Sequence, residues 1–281
     1  MSTSLRKSGV EGALRVASPG LEWLARLGYA AKGVVYIIVG VLAVQVAIGE
    51  GGQTEGTRGA LQTLASQPFG QIFLGLVALG LLGYGIWLLI RAGLQTGSQR
   101  GSSDAIDIIK RIGIAIAGII HLALAFYAFQ ILTGSASGGG EGTAQTWVAQ
   151  IMQQDWGRWL VVLAGLCVIG FGLYRLYQAY TTEFTKELDL DDMDATERKW
   201  TIRFGRMGLA AQGIVFMMIG SFLVQAGVQF DPSEVRGLGG ALQTLAQQPY
   251  GPWLLGIVAL GLIAHGVYMF IKMRYRRIRA I

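Results

Sequence analysis

Six long apolar runs, separated by short polar stretches, constrain this chain of 281 residues more than any other feature. A helix needs about 20 residues, at about 1.5 Å rise each, to cross the hydrocarbon core of a bilayer. The runs occupy residues 24–48, 71–93, 108–132, 157–180, 203–228 and 252–273. Backbone polar groups must pair internally in hydrocarbon, and barrel strands need only about 10 residues, so these runs are predicted to be helices. The expected fold class is all-α integral membrane.

The charged residues lie mainly between the apolar runs, and their distribution predicts an orientation. Lysine and arginine number 23 against 17 aspartates and glutamates, and the net charge of +6 is by itself compatible with nucleic-acid binding. The positive charges, however, cluster at both termini and in alternate loops, whereas the other three loops carry only Arg58, Arg158 and Arg236. The positive-inside rule therefore predicts that both termini are cytoplasmic. We expect the lipid bilayer to be a partner and nucleic acid not to be one.

Three copies of one two-helix unit are visible in the sequence. Residues 26–33, 111–118 and 206–213 read RLGYAAKG, RIGIAIAG and RMGLAAQG. A gapless alignment also brings glutamines into one column, and the second run of each unit carries glycine at its start and near its end. A unit with two crossings returns the chain to its starting side, so the repeats are parallel. The simplest expected arrangement is a pseudo-threefold bundle about the membrane normal.

The repeats also predict the organisation of the chain outside the spanning helices. The three loops on the predicted outer side have apolar residues at helical spacing, at 60–65, 147–152 and 241–246, which predicts short amphipathic helices in the interface. The expected segments are a cytoplasmic N-terminal segment (1–22), repeat 1 (23–93), a cytoplasmic linker (94–107), repeat 2 (108–180), an acidic cytoplasmic linker (181–202), repeat 3 (203–273) and a basic cytoplasmic tail (274–281).

The pattern over residues 20–275 resembles the bacterial membrane proteins grouped as domain of unknown function 1206. The motifs that carry the resemblance are [RK]-x-G-x-x-x-x-G at the start of each unit and the paired glycines of each second helix. The resemblance implies three two-helix units in a bacterial inner (plasma) membrane. It does not indicate any particular activity or catalytic residue. The mitochondrial carriers also have three two-helix units, but their Pro-x-[Asp/Glu]-x-x-[Lys/Arg] motif is absent after Gln45, Gln130 and Gln225.

Glycine columns are the commonest special feature of the spanning helices. Small residues allow helix backbones to approach closely in lipid, where dispersion holds helices together, so these glycines are predicted to be packing positions. The alternative is that they mark hinges or a narrow path along the axis. The candidate positions are Gly28, Gly33, Gly113, Gly118, Gly208 and Gly213 on the first helices, and Gly85, Gly172 and Gly266 on the second helices.

Two glutamine columns are the sharpest polar signal. Gln45, Gln130 and Gln225 end the first helices, and Gln67, Gln154 and Gln248 precede the second helices. If the threefold arrangement closes, the columns form two polar rings near the outer interface that ligate a small solute or line a vestibule. The simpler interpretation is that each amide hydrogen-bonds the free backbone groups of a nearby helix end.

Four histidine, lysine or arginine residues lie more than four residues inside the ends of the apolar runs. His121 aligns with Tyr36 and Phe216, and His265 aligns with Tyr84 and Phe171. These aromatic columns favour neutral packed imidazoles over a proton-linked role or haem ligation. A cation at the bilayer centre costs about 2.5 to 3.5 kcal/mol. Lys32 and Arg175 are close to the cytoplasmic ends of their runs, so their side chains are expected to reach the headgroups.

The sequence indicates no catalytic centre and no metal or cofactor site. No phosphate-binding loop follows a strand, no carboxylate pair lies inside a helix, and no nucleophile has a histidine at a useful spacing. The single cysteine, Cys167, is expected to be a packing residue. Two hypotheses remain: a structural or accessory membrane component that associates with itself or with another membrane protein, and a channel or transporter for a small neutral solute along the pseudo-threefold axis. The lack of paired intramembrane charges favours the first.

Overall fold

The computed structural model describes residues 2–94, 104–136 and 142–276, which form nine α-helices joined by loops, two short 3-10 helices and one isolated β-bridge. The parts of the predicted linker and basic tail at 95–103 and 277–281 lie outside the described residues. The helices are α1 (Ser2–Ala47), α2 (Thr57–Ala65), α3 (Gly70–Leu94), α4 (Asp104–Leu132), α5 (Gly142–Met152), α6 (Gly157–Thr181), α7 (Ala195–Gln229), α8 (Leu238–Ala246) and α9 (Gly251–Tyr275).

Six of these helices are long and apolar enough to span a membrane. The spans are Glu22–Ala47, Gly70–Gly93, Lys110–Leu132, Gly157–Thr181, Ala195–Gln229 and Gly251–Tyr275. The prediction of an all-α protein with six spanning helices and three short loop helices is therefore confirmed. The expectation for Cys167 was wrong, because this residue is exposed on α6 and does not pack in the core.

A glycine turn begins the second helix of each repeat. The amide of Gly70, Gly157 or Gly251 donates to the carbonyl oxygen of the glutamine three residues earlier, at 2.7 to 2.8 Å. A Cβ atom on any of these glycines would collide with carbonyl oxygens at the end of the preceding short helix. Only glycine therefore allows the chain to reverse so tightly between the loop helix and the spanning helix.

The spanning helices pack in the order α4, α3, α1, α9, α7, α6. The closest packing joins different repeats, because α1 packs on α9, α4 on α3 and α7 on α6. Within repeats 1 and 3, the two helices also pack on each other, whereas α4 and α6 of repeat 2 make almost no contact over their described residues. The bundle is consequently open on one side, and α4 and α6 are the least buried of the six spanning helices. We call this opening the α4–α6 seam.

Glycine pairs form the three crossings between repeats. A Cβ on Gly33, Gly118 or Gly213 would lie 2.8 to 3.1 Å from the carbonyl oxygen of the partner glycine, in the pairs Gly33–Gly266, Gly118–Gly85 and Gly213–Gly172. The three pairs occupy equivalent columns of the repeats. Close backbone approach at equivalent positions explains why the three contacts have the same form.

In the column of Gly28, Gly113 and Gly208, the first and third glycines lie at the contacts within repeats 1 and 3, and Gly113 does not. A Cβ on Gly28 would collide with Tyr84 of α3, and one on Gly208 would come 2.5 Å from the Cα of His265 on α9. At Gly113 a Cβ would meet nothing within 4 Å. The open space beside Gly113 is therefore part of the α4–α6 seam.

Both ends of the bundle are covered by packed segments. At the end that carries the loop helices, Leu61 of α2 and Leu242 of α8 are fully buried, and the Thr54 hydroxyl donates to the carbonyl oxygen of Gly239 at 3.0 Å. The apolar faces of α2 and α8 therefore cover the bundle as well as facing the interface. We call this end the loop-helix end.

The opposite end, which we call the linker end, is covered by the acidic linker. Phe184, in the 3-10 helix Glu183–Glu187, is buried against Tyr268, with ring centroids 5.3 Å apart. The Glu187 carboxylate lies 2.9 Å from the Lys272 ammonium and 3.4 Å from the Arg276 guanidinium. Arg276 in turn stacks on Tyr29 and Trp87.

Candidate functional site

The predicted glutamine columns lie at the surface. Gln45, Gln225, Gln67, Gln154 and Gln248 are exposed, and Gln130 is half-buried. The Gln248 side-chain amide donates to the carbonyl oxygen of Thr244 at 3.3 Å, within its own repeat. The interior of the bundle instead contains a different set of polar side chains.

This interior set, which we call the polar layer, receives at least one side chain from each spanning helix. Its members are Lys32 and Tyr36 from α1, Tyr84 from α3, His121 from α4, Arg175 from α6, Gln212 from α7 and His265 from α9. Direct contacts join Lys32, Tyr84 and His121 into one group and Tyr36, Gln212 and His265 into another. The Gln212 amide lies 2.8 Å from the Tyr36 hydroxyl, and the Lys32 ammonium lies 4.9 Å from the centroid of the Tyr84 ring.

Three equivalent aromatic pairs form the frame of the polar layer. His265 packs edge-on against Tyr36 at 4.7 Å, His121 against Tyr84 at 4.9 Å, and Phe171 against Phe216 at 5.0 Å between ring centroids. Each pair joins the first helix of one repeat to the second helix of another. Each histidine thus lies at a helix crossing, where it packs against a different tyrosine. At the third crossing both partners are phenylalanines.

The two histidines differ in their hydrogen bonds. Nδ1 of His121 lies 2.6 Å from the carbonyl oxygen of Ala117 and, because a carbonyl only accepts, this nitrogen carries the proton. Nδ1 of His265 has no hydrogen-bond partner, although the residue is only 2% exposed. His265 is therefore a buried imidazole with an unused polar atom inside the polar layer.

Lys32 and Arg175 bring two positive charges into the polar layer. Their charges interact with each other, and Arg175 also lies within electrostatic range of Tyr36, Tyr84 and His265. The Arg175 guanidinium donates to Gln178 at 3.1 Å and stacks on Phe171 at 4.7 Å, and its Nε atom has no partner. In the described parts of the spans, carboxylates occur only near the linker end, at Glu22 and Glu197.

The polar layer combines depth with access. Gln212 and His265 are 5% and 2% exposed, whereas Lys32 and Tyr36 lie deep among protein atoms and still keep partly accessible surfaces. Among the described residues, no three histidine, cysteine, aspartate or glutamate side chains lie together in a metal-binding arrangement.

Sequence reasoning singled out four members of the polar layer and missed the other three. Gln212 is the amide of this layer, and its signal was its position in the middle of an apolar run, in the same column as Lys32 and Ala117. Tyr36 and Tyr84 had appeared only as the aromatic equivalents of the two histidines. Their importance depends on which way each helix faces, and only the fold reveals that.

Comparisons with known proteins match the repeat unit and nearly the whole chain. The family model described as Domain of Unknown Function (DUF1206) matches residues 27–95, 112–182 and 207–276, one match for each two-helix unit. The chain is 36% identical over 258 residues to the "Uncharacterized protein YxxB" of Bacillus subtilis (strain 168), and the alignment covers 92% of each chain. No solved structure matches the chain significantly.

Proposed function

We propose that this chain, which belongs to the DUF1206 family and is a multi-pass membrane protein, is an accessory component of a bacterial plasma membrane and not a conduit. The observation that carries the proposal is that the bundle is covered at both ends and open at one side. A protein of this shape meets other molecules laterally, within the bilayer. On this proposal it has no catalytic activity, and its partners are lipid and either a second copy or another membrane protein.

The covered ends support the accessory role. Apolar side chains are buried at both ends of the bundle, namely Leu61 and Leu242 at the loop-helix end and Phe184 and Leu188 at the linker end. Hydrophobic constrictions can open by local motion, so the alternative function, transport of a small neutral solute along the axis, is tested directly. The observation in its favour is the partly accessible surface of Lys32 and Tyr36.

Flux through reconstituted protein separates the two functions. We expect liposomes containing the purified protein to release water, small ions and small neutral solutes no faster than protein-free liposomes, with a pore-forming peptide as the positive control. The triple variant Gln45→Leu, Gln130→Leu and Gln225→Leu is expected to give the same rates. Flux by the wild-type protein above the rate of protein-free liposomes would establish a conducting path and reject the accessory role.

The proposal also includes an orientation, with both termini and the acidic linker in the cytoplasm, as the positive-inside rule indicates. In a Cys167→Ala background, we expect a membrane-impermeant maleimide to label Ser66→Cys on intact spheroplasts. It should label Asp192→Cys only after permeabilisation, because Ser66 and Asp192 are exposed residues at opposite ends of the bundle. The reverse pattern would invert the proposed orientation.

A further inference from the structure

The charge of the polar layer is unbalanced. Lys32 and Arg175 contribute two cations, and the carboxylate whose charge reaches Arg175 belongs to Glu187, outside the span. Glu187 is already paired with Lys272 and Arg276, at 2.9 and 3.4 Å. A cation held away from water is stabilised by an anion placed beside it. The polar layer therefore favours a negatively charged ligand.

Unpartnered polar atoms occur in the same layer. Nε of Arg175, Oε1 of Gln212 and Nδ1 of His265 are buried and have no hydrogen-bond partner. All three groups can donate: the Gln212 amide can be turned so that its nitrogen replaces its oxygen, and either nitrogen of a neutral imidazole can carry the proton. Buried polar groups are normally paired, so unpartnered groups beside two cations indicate a binding site for an acceptor with several oxygens.

Both cations lie in the linker half of their spans. Lys32 lies ten residues after Glu22, where its span begins, and Arg175 lies six residues before Thr181, where its span ends. With a rise of about 1.5 Å per residue, their Cα atoms lie about 15 Å and about 9 Å from the linker ends of these spans. A lipid headgroup that enters from the side can approach Arg175, because α6 carries this residue and forms one wall of the α4–α6 seam.

We propose that the polar layer binds one phosphate-like anion, held between the Lys32 ammonium and the Arg175 guanidinium, with Gln212 and His265 as neutral donors. The anion is the phosphate of an anionic phospholipid that enters through the seam, or a free phosphate of the same chemistry. Basic pockets between spanning helices on the cytoplasmic side characteristically hold anionic headgroups. The inference does not depend on the accessory role, because a conducting protein would bind the anion equally.

The first test compares anions on the wild-type protein. The protein is purified in a non-ionic detergent, and its thermal midpoint is followed by tryptophan fluorescence during titration with phosphatidylglycerol, phosphatidylcholine, inorganic phosphate or chloride. We expect phosphatidylglycerol to stabilise the protein at lower concentration than phosphatidylcholine, which identifies a lipid source. Stabilisation by inorganic phosphate but not by added phosphatidylglycerol identifies a soluble source. If neither anion stabilises more than its control, the proposal is wrong.

The second test locates the site with variants of equal charge change. Lys32→Gln and Arg175→Gln are each expected to raise the half-saturating concentration of the active anion about fivefold. Lys110→Gln, whose side chain is 60% exposed on α4, removes the same charge and should change it less than twofold. Equal effects at all three positions would reject the polar layer as the site.

Charge-conserving variants cover the case in which a glutamine variant does not fold. Lys32→Arg and Arg175→Lys keep the positive charge, and we expect both to retain the anion-dependent stabilisation. Arg175→Lys should bind more weakly than the wild type, because an ammonium lacks the fork of donors that a guanidinium presents to phosphate. If both glutamine variants fold and both keep the anion-dependent stabilisation, the proposal is wrong.

Discussion

Replacing Gly172 with valine is expected to lower the thermal midpoint of the protein in detergent by roughly 10 °C, corresponding to about 3 kcal/mol. A Cβ at this position would lie 2.7 Å from the carbonyl oxygen of Gly213 and 2.9 Å from the backbone nitrogen of Met217. Both atoms belong to the backbone of α7, so the helices must separate to admit the side chain. This separation would break the most extensive helix contact of the bundle.

The matched control for this change is Gly170→Val, two residues earlier on the same helix. A Cβ at Gly170 would meet nothing within 4 Å, so the added side chain is accommodated without moving a neighbour. Both changes alter helix propensity equally, and the difference between them isolates the packing effect. Equal midpoints for the two variants, measured by tryptophan fluorescence, would show that the α6–α7 crossing does not need glycine.

Replacing Glu187 with alanine is expected to loosen the linker end and to destabilise the protein by about 2 kcal/mol. The change leaves Lys272 and Arg276 without their carboxylate while they remain largely buried. Loss of one partner of a buried pair costs about 3 to 5 kcal/mol, and the 42% exposure of the Glu187 side chain reduces this value. Thermal midpoints and protease cleavage within residues 183–193 measure the effect.

Glu183→Ala is the matched control, because Glu183 belongs to the same 3-10 helix and also accepts from a lysine. Its partner Lys186 is 75% exposed and screened by solvent, so the loss of this pair should cost much less stability than the loss of the Glu187 pairs. If the two alanine variants have equal stability, the ion pairs of Glu187 do not hold the linker on the bundle.

The contribution of Glu187 should also depend on pH in a defined direction. Burial alone would raise the pKa of Glu187, but the charge of Lys272 and the hydrogen bond from it outweigh burial and hold the pKa below its ordinary value of 4.5. The stabilisation is therefore complete above about pH 5 and is lost as the pH falls through the lower value of the folded protein. The stability difference between wild type and Glu187→Ala should shrink only in that acidic range.

The sequence predicted the spanning helices and the crossings better than it predicted what faces the interior. The length and hydropathy of the apolar runs determine where the spanning helices lie. The glycine columns identify the pair Gly85 and Gly118 as equivalent to the glycine pairs at the other two crossings. An alignment of repeats shows which residues are equivalent, but not how each helix is rotated. For this reason the glutamine columns, which align well, could not be assigned to an axis, while Gln212 was missed inside the bundle.

The loop helices illustrate a second limit of sequence reasoning. The apolar spacing of Leu61 and Leu64 in α2 predicts a helix with one apolar face, and that helix is present. The same spacing does not reveal whether the face covers lipid or protein. In α2 and α8 it covers the end of the bundle, since Thr54 connects the two loops through Gly239. Contacts between distant repeats decide this outcome.

The α4–α6 seam has a consequence for how the membrane acts on this protein. Gly28 and Gly208 admit a neighbouring helix at close range, and Gly113 presents the same small surface with nothing beside it. No bulk on α4 at this point prevents α6 from approaching. We expect two states to compete for this space: in one, α4 and α6 contact each other directly, and in the other, a lipid chain lies between them. The populations of the two states follow their relative free energies. We therefore expect the width of the seam to change with the composition of the bilayer.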